Sequence, residues 1–334
     1  MNMTPLRRRG AALAAALLSS ALLLTACGSG DDSRDDATPS GETRSFEADN
    51  GTIEFPVDPQ RIVAVSGGAT ATLIDWGLKP VGITEIPRYL PWASDEEARV
   101  YESATVVSDG NEVDYETVAS LNPDLIISAV PAAGFFDEID AGRLESIAPT
   151  ILYAIETDEW REKTPKLAEA LGVLDIFAEQ KTSYDALVDD VQATYGESLD
   201  SMTFAAVNKW SPEDTGTFFR EYQNSTCTYY LSDAGLNIPG EPKVVGQGPW
   251  DEMSIERLSD LSDVDAVIYP LDAKGETQET FKSILDSNIW KSFSLVQDGM
   301  VLPVGCPFGN TTYANGVKNL ESLKAALGKL LNAE

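Results

Sequence analysis

Histidine is absent from the 334 residues. That removes the Ser-His-Asp and Cys-His nucleophile systems and every metal site that depends on imidazole. Basic residues are scarce too: 24 Lys and Arg stand against 54 Asp and Glu, for a net charge of −30. Such a balance repels nucleic acid and anionic lipid headgroups, and it serves solubility before it serves any cationic ligand. Cysteine occurs only at Cys27, Cys227 and Cys306, in no CxxC or zinc spacing. There is no phosphate-binding glycine loop and no nucleophile elbow, and among so many acids no carboxylate pair stands out as an acid/base couple. The composition points away from an enzyme, and neither a cofactor nor a protein-bound metal is expected.

What is present begins with Arg7, Arg8 and Arg9, which precede an apolar run from Ala11 to Leu24 that is too short to span a bilayer. The run ends in Leu24-Thr25-Ala26-Cys27, which resembles a bacterial lipobox. The resemblance implies a signal peptide over 1–26 and acylation of Cys27 with diacylglycerol and palmitate. It also implies attachment to the outer face of the cell membrane by lipid alone. Loss of the three arginines takes the net charge from −30 to −33. Residues 27–44 then form a tether whose only apolar side chains after the cysteine are Ala37 and Pro39, with a reach of roughly 20 Å. Folding starts near Ser45. Cys227 and Cys306 face an oxidising compartment, where one disulfide is expected and two separate buried thiols are the alternative.

The folded part reads as strands and helices in alternation. Arg61–Ser66 and Pro80–Ile86 are short β-branched runs around a helix from Ala69 to Trp76, with Gly77 as its stop. Asp114 caps a helix from Tyr115 to Leu121, and Asp124–Val130 and Thr150–Ala154 read as buried strands. The second half repeats this grammar. Thr203–Trp210 is a strand, a helix runs through Tyr230 to a stop near Gly235, and another starts at Ile255. Asp265–Tyr269 and Met300–Val304 are again strands. Between the halves, Asp175–Tyr195 carries Phe177, Tyr184, Leu187, Val188 and Val191 at helical spacing. The expected fold is α/β, with two Rossmann-like lobes joined by a single long helix and a ligand cleft between them. The lobes cover 45–165 and 199–334, and the connecting helical segment 166–198. A single helix as connector implies modest closure on ligand binding.

The stretches Phe46–Val65, Tyr115–Ile127, Ile147–Thr150 and Met253–Leu258 resemble signatures of the ferric-siderophore-binding lipoproteins of ABC importers, a family that also includes vitamin B12-binding proteins. Asn122-Pro123-Asp124-Leu125-Ile126-Ile127 is the most specific element, and the likeness covers almost the whole mature chain. It implies a monomer that takes a ferric siderophore to an ABC transporter permease. Glu116 and Glu256 match the two glutamates, one per lobe, with which that family docks on the permease. Each is also the second residue of a helix, where the macrodipole favours a carboxylate whatever its partner.

Ligands of such sheets bind beyond the carboxyl ends of the strands, so the loops after Ser66, Ile86, Val130, Trp210 and Tyr222 are expected at the cleft. They supply Arg88, Tyr89, Trp92, Phe135, Phe136, Trp210 and, on a strand Thr217–Tyr222, Phe218, Arg220 and Tyr222 on one face; Trp250 completes the set. Iron in a siderophore is already saturated by oxygen donors, so aromatic walls and a fixed guanidinium suffice. Arg220 best matches the family's cleft arginine, and a surface ion pair is its alternative. For Phe135, Phe136, Phe218 and Trp250 core packing is an equal alternative. Hydroxamate-type chelates are favoured over catecholates because of the acidic balance. Cobalamin, or haem held by tyrosine, is the alternative cargo, and a signalling or structural lipoprotein the alternative of another class.

Overall fold

The computed structural model describes residues 41–86, 90–130, 139–154, 160–210, 216–223, 225, 227–243, 248–306 and 312–331. The expected signal peptide, Cys27 and most of the tether lie outside the described residues.

A hairpin of β1 (Thr43–Ala48) and β2 (Gly51–Pro56) opens the fold. The first sheet contains β3 (Ile62–Ala64), β4 (Gly82–Thr84), β5 (Thr105–Ser108), β6 (Leu125–Val130) and β7 (Thr150–Ala154) in the order β5-β4-β3-β6-β7, all parallel. Every residue of β6 is buried, as an unbroken apolar run requires in a sheet covered on both faces. Helices α1 (Gly67–Asp75), α2 (Asp95–Ser103), α3 (Tyr115–Ser120) and α4 (Ala141–Glu145) connect the strands. The stops and caps are those the sequence suggests. Gly77 takes φ +75° after α1, and the Asp114 carboxylate accepts the N–H groups of Glu116 and Thr117.

The hairpin tip closes the exposed edge of β7. Asp49 N–H donates to Leu152 O, Leu152 N–H to Asn50 Oδ1, Ala154 N–H to Asp49 Oδ2, and Asn50 Nδ2 to Thr150 O, at 2.5–3.1 Å. An edge that would otherwise invite strand addition is thereby satisfied.

After α5 (Trp160–Ala170), α6 runs from Leu174 to Leu199, 26 residues and about 39 Å long. It passes the expected end at Tyr195 because Leu199, only 1% exposed, is buried in the core and carries the helix through Gly196. The second sheet is β8 (Phe204–Asn208), β9 (Thr217–Glu221), β10 (Trp250–Ser254), β11 (Ala266–Leu271) and β12 (Val301–Gly305) in the order β10-β9-β8-β11-β12. Here β8, β11 and β12 are parallel, β9 is antiparallel to β8, and β10 is antiparallel to β9. The mixed direction corrects one expectation: the chain beyond Tyr222 leaves from the opposite end of the sheet to Trp210, not beside it. The helix starting at Ile255 is a 3-10 helix, Ile255–Leu261. Short helices α7 (Tyr229–Asp233), α8 (Glu279–Asp286), α9 (Asn288–Ser292) and α10 (Ser294–Gln297) and the long α11 (Tyr313–Leu331) complete the lobe.

The two sheets share one core. It runs from Ile62 and Leu125 through Trp76, Trp160, Phe177, Tyr184 and Tyr313 to Phe204 and Leu302. At its centre the ring of Trp160 lies 5.4 Å from Tyr229 and 4.8 Å from Tyr313, and Phe177 meets both Trp76 and Tyr313. Thr312 Oγ1 donates to Asp75 Oδ2 at 2.9 Å across the same junction. Such packing favours small relative movements of the lobes.

Candidate functional site

The carboxyl ends of the parallel strands define the cleft floor: Ser66, Ile86, Val130 and Ala154 in one lobe, Asn208–Trp210, Leu271 and Gly305–Cys306 in the other. Ser66 caps α1 and ties it to the sheet, its Oγ accepting from Ala69 N–H and donating to Ala129 O at 2.8 Å. Ile86 N–H donates to Tyr101 Oη at 2.5 Å, which ties the carboxyl end of β4 to α2.

Trp92, in a 3-10 turn Leu90–Trp92, is half-buried and reaches the other lobe: a methyl group on Gly305 would come within 2.8 Å of its Cη2. Trp210 is half-buried at the end of β8, 6.5 Å ring to ring from Phe219. These two aromatics are therefore at the carboxyl ends.

The β9 and β10 residues separate differently. Arg220 pairs with Val207 in register, and Glu221 with Ala206, so the strand descends from the floor towards Tyr222. Arg220 Nη2 donates to Pro239 O at 3.0 Å and its guanidinium sits 5.0 Å over the Tyr222 ring; its Nε is buried without an acceptor among the described residues. Tyr222 donates to Asp251 Oδ2 at 2.8 Å, and burial together with that carboxylate pushes its phenol up to about 12. Phe218 is fully buried with Met253, Leu258 and Phe281, so the core alternative holds for it and it is no cleft residue. Trp250 opposes Glu221 and lies against Gly248. Arg88, Tyr89, Phe135 and Phe136 lie outside the described residues.

Several polar groups at the floor were not singled out by the sequence. Lys209 is 3% exposed, the only buried Lys or Arg among the described residues, and its ammonium donates to Thr217 O at 3.3 Å. Behind it Glu221 is fully buried; Asn208 Nδ2 donates to its Oε1 at 2.9 Å and Ser225 Oγ to its Oε2, yet burial still pushes the carboxyl upward. The Asn208 amide also touches both sulfurs of the Cys227–Cys306 disulfide, whose Cα atoms are 5.3 Å apart. The strand's last charged residue, next to Trp210, was the available signal for Lys209. Among the described residues no three acidic or sulfur side chains converge as metal ligands.

Glu116 and Glu256 are exposed, each in the first turn of its helix, and neither carboxylate has a polar partner among the described residues. Glu116 follows the carboxyl end of β5, and Glu256 follows β10, which runs in the direction of β8. Both thus stand on the cleft side of their sheets. Beside Glu116 is an open hollow of about 540 Å³ floored by Val106 and Tyr115, with Arg143 stacked 4.4 Å over the tyrosine ring.

Residues 62–302 match the periplasmic binding protein family. The iron(3+)-hydroxamate-binding protein FhuD of Bacillus subtilis is 27% identical over 331 residues, covering 97% of this chain and 98% of that protein. Among solved structures, the siderophore periplasmic binding protein from the fuscachelin gene cluster of Thermobifida fusca superposes with a TM-score of 0.67 at 27% identity, over 83% of this chain and 99% of that one. The triscatecholate siderophore binding protein FeuA of Bacillus subtilis shares the fold, with a TM-score of 0.68 at 17% identity over 86% and 99% of the two chains.

Proposed function

The chain belongs to the periplasmic binding protein family, and on that footing we propose that it is an extracytoplasmic lipoprotein that captures a ferric siderophore and delivers it to the permease of an ABC importer for iron uptake. The observation that carries this reading is the near end-to-end match to a protein named for binding iron(3+)-hydroxamate, on a chain whose cleft floor presents Trp92 and Trp210. The same relative supports hydroxamate-type chelates over catecholates. The protein binds and releases its cargo unchanged and is not an enzyme.

In this reading the lobes divide near residues 165 and 199, and Trp92 and Trp210 wall the chelate. Arg220, held against Pro239 and Tyr222, is the cation assigned to the chelate's oxygens. Tyr222 fixes that guanidinium, and Arg88, Tyr89 and Phe136 complete the set, whereas Trp250, opposite Glu221, starts its strand at the end away from Trp210. Two isolated carboxylates on the cleft side of their sheets suit docking of Glu116 and Glu256 on permease cations. Cys27 carries the lipid, the disulfide locks the floor, and the protein works as a monomer.

Tryptophan fluorescence of the chain from Ser45, titrated with ferric and iron-free siderophores, cobalamin and haem, tests the reading. Saturable quenching by a ferric hydroxamate is the expected result. Binding of cobalamin or haem alone would change the cargo, and no response to any of them would refute capture.

A further inference from the structure

The segment that carries Trp92 touches the opposite lobe twice. The indole tip presses on Gly305 at the end of β12, and five residues further Glu97 Oε2 lies 3.5 Å from Lys318 Nζ on α11. Both ends of this bridge are fixed. Gly305 N–H donates to Ser322 Oγ at 2.7 Å, and Gly305 O accepts from Tyr230 Oη at 3.1 Å. Cys306, the next residue, is tied to Cys227. On the other lobe Ser94 and Glu97 form a capping box, Ser94 N–H donating to Glu97 Oε2 at 2.6 Å.

Gly305 is not kept for its backbone, because its φ lies outside the left-handed region. Room is the remaining reason. An added methyl group would stand 3.3 Å from Ser322, which a shift of a few tenths of an ångström relieves, but 2.8 Å from the indole, which must move. Lys318 Nζ is buried and makes no hydrogen bond among the described residues, so the attraction of Glu97 is what offsets its desolvation.

We infer that Gly305 and Lys318 are positioning residues that seat Trp92 from across the cleft, so that one wall of the ligand site is an indole pinned between the lobes and the width of the cleft follows from that contact. The inference rests on the proposed function for what enters the cleft, whereas the contact itself is tested without ligand. The selected property is then the size of the chelate, since a wall held at both ends cannot retreat from a bulky ligand at low cost.

The test uses the full chain with Gly305→Ala, Lys318→Met and Lys318→Arg. Zero-length carbodiimide coupling should join Glu97 to Lys318 in the wild-type chain, read as a cross-linked peptide by mass spectrometry and missing in Lys318→Met. Acrylamide quenching of tryptophan should rise in Gly305→Ala as the indole is displaced. With a compact linear and a bulkier macrocyclic ferric trihydroxamate as probes, Gly305→Ala should change the ratio of the two affinities at least fivefold. Lys318→Met should weaken both about tenfold, with Lys318→Arg restoring them. A missing cross-link in the wild-type chain, or ratios within twofold of wild type in both Gly305→Ala and Lys318→Met, would overturn the inference. If the wild-type chain binds neither chelate, the functional reading falls, and the cross-link and quenching still decide whether the indole is seated.

Discussion

Gly316 and Gly196 are both helical glycines, and the structure assigns opposite signs to their replacement by alanine. An exposed or roomy helical Gly→Ala gains about 1 kcal/mol through backbone entropy. Gly196, inside α6, has nothing within 4 Å of the added methyl and should show that gain. At Gly316, in the first turn of α11, the methyl would lie 2.4 and 2.6 Å from two carbons of the Tyr184 ring and 3.0 Å from Tyr229 Oη. The tyrosine cannot yield cheaply. It is 2% exposed, its hydroxyl donates to Asp233 Oδ2 at 2.5 Å, and its ring is flanked by Tyr313 at 5.1 Å and stacked on Tyr229 at 6.4 Å. Overpacking of this kind costs about 1–3 kcal/mol, with the severe end appropriate here, so the net loss is about 1–2 kcal/mol after the entropy gain. For a chain of this size that lowers Tm by about 2–3 °C. Denaturant and thermal unfolding of the two single variants side by side give the answer. A Gly316→Ala protein as stable as wild type, or stabilised like Gly196→Ala, would refute the packing argument for the interlobe junction.

Three further outcomes follow from other parts of the fold. Replacing both Cys227 and Cys306 by serine opens a loop spanning a sequence separation of 79; chain entropy sets the loss at no more than about 4.5 kcal/mol, and reductant should lower the denaturation midpoint of the wild-type chain but not of the variant. Glu221→Gln removes a buried carboxyl whose affinity for protons is raised on folding. The folded state binds the proton more tightly than the unfolded one, so the penalty is absent below the unfolded pKa and grows as pH rises towards the folded one. The variant should therefore gain on wild type with increasing pH, by at most about 1.4 kcal/mol per pH unit in the unfolding free energy. Asn50→Ala leaves Leu152 N–H and Thr150 O on the edge of β7 without their partner; a loss of about 1–3 kcal/mol in chemical denaturation and faster aggregation by light scattering are expected.

Local rules carried most of the first lobe. Buried runs such as Leu125–Val130, the Asp114 cap and the stop at Gly77 each depend on a few neighbouring residues, and each lies where the sequence puts it. Strand direction was harder because alternation along Thr217–Tyr222 is the same in parallel and antiparallel strands. The decisive signal was the connection. Eight residues separate Asn208 from Thr217, fewer than the dozen or so that a parallel crossover needs, so β9 had to turn back beside β8. The length of α6 depended on a contact: Leu199 is a core residue only because the second sheet packs on this helix.

The same division between local and distant causes governs the candidate site. Aromatic residues after strands can be read from the chain order alone, which is why Trp92 and Trp210 could be placed at the carboxyl ends of their strands. What holds them could not, since Gly305 is 213 residues from Trp92 and meets it only after both lobes have formed. Arg220 shows the stronger consequence. In a chain with 54 acids and 24 bases, a flexible arginine on the surface would spend most of its time near some carboxylate. Its guanidinium is instead held by Pro239 O and the face of Tyr222, and Tyr222 in turn takes up the nearby carboxylate of Asp251. That arrangement leaves the guanidinium with no carboxylate partner among the described residues and restrains it, which lowers the entropy cost of any further hydrogen bond it makes. In a chain where composition works against a free cation, a guanidinium restrained in this way is the one best suited to the role proposed for it above.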